Sequence, residues 1–100
     1  MPEDPLQVPV DELRKVLDLL LRHVSDQAGS PLEVSHDYFW SVPPGELNNV
    51  YEQPSELTVG QVSESWANLV GMLEDDSKIV GYGLVWLSDV LRTIGVERIA

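Results

Sequence analysis

The sequence predicts a mainly α, three-helix single domain, with helices at about 10–25, 58–75 and 78–94 and a strand-like aromatic segment, 31–42, between the first two. Three observations carry this. Apolar residues recur with a 3.6-residue period in three separate stretches. A single stretch, Pro31–Val42, alternates with period two instead. The chain is 100 residues long and 43% hydrophobic, which suffices for one core without staples.

Residues 1–8 begin Met-Pro-Glu-Asp-Pro and read as a disordered N-terminal tail of the one domain, 1–100. In the first helix Leu13, Val16, Leu17, Leu20, Leu21 and Val24 form one apolar stripe. Asp11 and Glu12 sit in its first turn and Arg22 and His23 near its end, which suits the helix dipole. Gly29 and Pro31 stop it.

In the next segment Leu32, Val34, His36, Tyr38, Trp40 and Val42 alternate with Glu33, Ser35, Asp37, Phe39 and Ser41. Pro43-Pro44-Gly45 ends it and opens a Pro-rich loop, 43–57. A strand needs a partner for its backbone groups. The alternative fold is therefore α+β, with a small hairpin in 32–51 that returns through Leu47–Tyr51.

The second helix is expected to open at Thr58, whose spacing to Gln61 suits a capping box. Val59, Val62, Trp66, Leu69, Val70 and Leu73 line one face; Glu64, Asn68, Gly71 and Asp75 line the other. Glu74, Asp75 and Asp76 crowd its C-terminal end, where the dipole disfavours anions. The last helix has its main stripe at Val80, Leu84, Leu87, Leu91 and Ile94, with Gly95 as the expected stop. Its second face carries Tyr82, Val85 and Trp86, so a cover is expected there; Tyr38, Trp40 and Val42 are the residues expected to supply it. Phe39, on the other strand face, is expected to point away from that core as an interface anchor.

Charge narrows the function classes. The net charge is −11, and residues 37–76 hold eight acids and no base. No Lys or Arg occurs from His23 to Ser77. Such a field repels nucleic acid and anionic membrane surfaces, so neither is an expected partner. No apolar run approaches the roughly 20 residues that span a bilayer. The acidic start has neither the basic flank nor the apolar run of a secretion signal, so a cytoplasmic location is expected.

Catalytic signatures are missing. The absence of cysteine excludes disulfides, thiolate metal sites and thiol nucleophiles. The two histidines, His23 and His36, have no metal-ligand spacing, and His36 and Asp37 point to opposite strand faces. Gly81-Tyr82-Gly83 lacks the rest of a phosphate loop. The reading is therefore non-enzymatic, with no cofactor and no metal.

The run DYFWSVP, followed by VYEQPSELTVGQVSESWANL, resembles a family of small acidic bacterial proteins of unknown function. Their pattern is D-Y-[FY]-W-x-[IV]-P, then Y-[DE]-x-P-x-E-L-x-[IV]-G-Q, then a Trp and a Leu on a helix. The resemblance covers residues 31–95. It implies a shared fold for these elements and no activity. Where the family often places paired acids before the Trp, this chain has Glu64-Ser65.

The expected function is an acidic protein-binding module of inhibitor, immunity or regulatory type. A basic protein partner would meet Asp37, Phe39, Glu46, Glu52, Glu56, Glu64 and Asp75. The alternative is a structural protein that forms a homodimer through the strand edge and a last-helix face of Tyr82, Val85 and Trp86.

Overall fold

The computed structural model describes residues 4–77 and 80–99. Backbone contacts divide the chain into two compact units, Met1–Glu33 and Val34–Ala100. The architecture is mainly α, with three helices and one small antiparallel hairpin.

The first unit holds helix α1, Val10–Ala28. Pro9 precedes it with φ −64° and accepts the Leu13 N–H at 3.0 Å, so the first turn closes without a side-chain cap. Gly29 ends it at φ 83°, a conformation that favours glycine, and donates its N–H to Ser25 at 2.7 Å. The helix is one turn longer than its apolar stripe predicts. Its last turn therefore has no base, and the expected dipole match of Arg22 and His23 is lost. Arg22 instead pairs with Asp18 at 3.2 Å and Arg14 with Asp11 at 2.9 Å, both on the exposed surface. No residue of α1 is buried. The tail expected over 1–8 lies partly outside the described residues; 4–9 carry no regular structure.

The second unit holds strands β1, Tyr38–Ser41, and β2, Thr58–Gln61, and helices α2, Val62–Glu74, and α3, Val80–Ile99. A single 3-10 turn, Pro44–Glu46, follows β1. The hairpin differs from the expected one. β1 spans only the last third of the alternating segment. Its partner is Thr58–Gln61, not Leu47–Tyr51, with Phe39 opposite Gly60 and Trp40 opposite Val59. Thr58 and Val59 are β-branched and favour a strand, whereas Leu47, Asn48 and Val50 sit in turns.

The start of α2 is consequently four residues later than the capping-box spacing predicts. Its cap comes from the residue just before β1. The Asp37 backbone carbonyl accepts the Val62 N–H at 2.7 Å, and Asp37 Oδ1 accepts the Ser63 N–H at 2.8 Å. Two of the orphan donors of a helix start are thus satisfied across the hairpin. The expected stop of α3 at Gly95 is also overrun, by four residues, to Ile99. A mid-helix glycine costs only about 1 kcal/mol relative to alanine, and Glu97 beyond it is tied into the fold. The expected start of this helix, residue 78, lies outside the described residues.

The core of this unit lies where α2 crosses α3. Val62 and Val90 are buried, and Gly83 of α3 lets Met72 of α2 approach closely. Ser65, buried and polar, donates to Asp89 at 3.0 Å and is satisfied. Among the described residues, no side chain is completely shielded from solvent.

Candidate protein-binding face

Two short strands set up this face. Alternation puts Tyr38 and Trp40 on one side of β1, and the register sets Val59 beside Trp40. This side is open: Tyr38 is 68%, Trp40 73% and Val59 59% exposed. Phe39 takes the other side. Its ring lies over Gly60, where even a Cβ atom would meet it. It then lines a cleft of about 180 Å³ with Trp40, Val42, Val85, Ser88 and Asp89.

The two strand faces are therefore the reverse of expectation. Tyr38 and Trp40 stay mostly exposed, with Trp40 only bordering the cleft beside Val85, and Phe39 is the ring that is partly buried. The cause is the glycine opposite Phe39, which leaves an inward space that an aromatic ring fills. Val42 does turn toward α3, through the cleft.

The loop between the strands is organised by one carboxylate. Glu46 accepts the Ser55 N–H and the Ser55 hydroxyl, each at 2.8 Å. This clasp holds Leu47–Pro54 as a compact turn with a shallow depression lined by Leu47, Val50, Tyr51 and Glu52. Tyr51 is 95% exposed. A second clasp sits at the other end of the unit. Glu97 accepts the backbone N–H groups of Ser35 and His36 at 3.0 and 2.8 Å, and His36 Nδ1–H at 2.7 Å.

These bonds shift the carboxyl groups. The Ser63 backbone N–H, followed by the Ser63 side chain and Gln61, lowers the Asp37 pKa. The Ser55 N–H and hydroxyl lower that of Glu46. The His36 ring, then the His36 and Ser35 amides, lower that of Glu97. Asp89 moves the other way: burial raises it, against the Ser65 hydroxyl and the Arg92 charge.

The sequence-predicted residues fall into distinct groups. Asp37 and Glu46 carry charge but spend their oxygens on the fold. Glu52, Glu56 and Glu64 are exposed. Asp75 is exposed at the far end of α2, where it accepts the Ser77 N–H at 3.1 Å. It lies eleven residues, or roughly 16 Å of helix, from Glu64, so these two do not form one patch. Tyr82 and Trp86 stack on α3 with ring centres 6.1 Å apart. Tyr82 is 57% exposed and Trp86 half-buried, with Val85 between them in sequence at the cleft.

Sequence reasoning missed Val50, Tyr51, Val59 and the Glu97 clasp. Glu97 lies 61 residues from His36, and no local pattern signals such a pair. Val59 had a signal, its β-branched neighbour Thr58, which the helical period masked. Among the described residues, no three His, Asp or Glu side chains converge as a metal site, and no helix is long and apolar enough to cross a membrane. No protein-family profile, curated protein or solved structure matches the chain.

Proposed function

We propose that the protein is a non-enzymatic, acidic protein-binding module that engages a basic protein through the outer face of its hairpin and the loop that joins the strands. The observation that carries this is the open aromatic face of Tyr38 and Trp40 beside Val59, inside a segment with eight acids and no base. Exposed aromatics of this size anchor interfaces when they are covered. Glu52, Glu56 and Glu64 surround them in sequence and keep their carboxylates in water. Such charges speed the encounter with a basic partner and make it salt-sensitive, while the aromatics slow release.

The test is capture of proteins from the native cell extract by the immobilised full chain, with elution by a salt gradient. A basic protein should be retained at low salt and released at high salt. Trp40→Ala should weaken its retention by about 30-fold, the scale of an interface hot spot. Glu52→Gln, Glu56→Gln and Glu64→Gln together should remove most of the salt dependence. Retention that ignores both salt and Trp40→Ala would refute the reading.

A further inference from the structure

The cleft beside Phe39 holds a carboxylate that the fold does not use up. Val85, Ser88, Asp89 and Arg92 fall at i, i+3, i+4 and i+7 on α3, so one face of that helix forms a wall of the cleft. Phe39 and Trp40 of β1 add an aromatic wall, and the contact of Phe39 over Gly60 holds its ring in place. Every lining residue belongs to the second unit. Asp37, Glu46 and Glu97 each accept hydrogen bonds on both carboxylate oxygens. Asp89 differs. Its Oδ2 accepts the Ser65 hydroxyl at 3.0 Å, while its Oδ1 accepts nothing among the described residues and is not sealed in the interior. Arg92 acts on it as a nearby charge but forms no ion pair with it. Burial raises the Asp89 pKa in spite of both neighbours, as expected of a carboxylate short of compensating charge.

The chemistry of the wall selects the ligand. The Ser88 hydroxyl donates to the Val85 carbonyl at 2.6 Å and the Thr93 hydroxyl to the Asp89 carbonyl at 3.0 Å. Both hydroxyls have spent their protons, so toward the cleft they can only accept. With Asp89 Oδ1 beside them, the polar lining calls for a group rich in donors. An alkylammonium has three donors and no acceptor, its charge compensates Asp89, and aromatic walls attract it. Arg92 is the one opposing charge among the lining residues, and it is exposed, where water weakens the repulsion. The volume of about 180 Å³ is close to that of a cavity of about 150 Å³ that takes up one benzene, and below the roughly 300 Å³ at which sites for larger small molecules begin. It suits the end of one side chain.

We infer that the cleft is a slot for a lysine side chain of the basic protein partner, with the aliphatic stem against Phe39 and Val85 and the ammonium on Asp89. Arginine fits less well. Its planar fork is best met by a carboxylate with both oxygens free, and Ser65 already occupies one oxygen of Asp89. The ammonium is a compact point charge that one oxygen can receive. The source of the lysine rests on the function proposed above; the chemistry of the slot does not. Because Trp40 borders the cleft, an engaged lysine lies next to the exposed aromatics and ties them to a defined position on the partner.

The test is an NMR titration of the full chain with n-butylammonium chloride, with n-butanol as the neutral match, in about 0.15 M salt to screen the general negative field. Saturable shifts should be confined to the cleft, at Phe39, Val85 and the Trp40 indole N–H, and n-butanol should bind at least about tenfold more weakly. Asp89→Asn keeps an acceptor for Ser65 and should weaken amine binding about tenfold. Arg92→Gln removes the opposing charge and should tighten it. Asp89→Asn should also loosen the basic protein retained from the extract. No saturable shift, equal binding of n-butanol, or amine binding indifferent to Asp89→Asn in a natively folded variant would overturn the inference. None of these results touches the salt-sensitive retention through Trp40, which tests the face itself. Amine binding by a protein that retains no basic partner, or a retained partner indifferent to Asp89→Asn, would overturn the lysine source and leave a free amine as the ligand.

Discussion

Three carboxylates use their charge to hold the second unit together. Asp37 caps α2, Glu46 closes the loop and Glu97 pins residues 35 and 36 to α3. Each accepts backbone N–H groups, and each has its pKa lowered by them. A lowered folded-state pKa means stability that is fully present above the ordinary carboxyl values of 3.8 for Asp and 4.5 for Glu, and is lost as pH falls through the folded values. Asp89, raised by burial, contributes with the opposite sign: its penalty is present while it is ionised and is relieved as pH falls through its raised value. Relief of the overall negative field also opposes the loss. The clean comparison is therefore wild type against Asp37→Asn/Glu46→Gln/Glu97→Gln. Wild type should have the higher urea midpoint near neutral pH. That advantage should shrink as pH falls below the carboxyl range. An advantage independent of pH would show that the bonds do not depend on ionisation.

At the scale of elements, two glycines bring structures together, and they should respond differently to alanine. At Gly60 a Cβ would sit 2.7 Å from Phe39 Cε2, against a rigid ring held by the hairpin and the cleft. Gly60→Ala should cost about 1–3 kcal/mol as overpacking, with loss of the β1–β2 pairing. At Gly83 the added atom meets Met72 Sδ at 2.8 Å, the flexible end of a long side chain. Helix propensity there favours alanine by up to about 1 kcal/mol, so Gly83→Ala should stay within about 1 kcal/mol of wild type. Equal losses in chemical denaturation would contradict this reading of the two contacts. The same contrast explains what was legible in the sequence. All three helices showed through, because their apolar period repeats over several turns. The strands were read poorly, since their pairing joins segments far apart. Thr58–Gln61 looked like a helix start because Val59 falls in phase with Val62 and Trp66. Its true cap, Asp37, lies 26 residues from Ser63 and leaves no local trace.

For the whole molecule, composition and charge were the legible part of the candidate site. The base-free stretch and its aromatics were visible in the residues themselves. Which aromatic faces outward was not. That depends on Gly60 standing opposite Phe39, a fact of register. The six apolar positions from Leu13 to Val24 were equally visible as a stripe, but a stripe alone does not say what it packs against.

The pairing of β1 with β2 also has a kinetic meaning. Its cross-strand partners are separated by 17 residues at Ser41 and Thr58, and by 23 at Tyr38 and Gln61. α2, ending at Glu74, and α3, described from Val80, are near neighbours in sequence. Closing the longer loop costs more chain entropy, and local contacts form sooner. The helical pair should assemble first and the hairpin dock onto it afterwards, through the Asp37 cap. Core truncations in the pair, such as Val90→Ala, should therefore slow folding, whereas Val59→Ala should mainly speed unfolding. The reverse pattern would place the hairpin in the nucleus. On the expected order, the surface proposed to meet the partner is the last part of the unit to take shape.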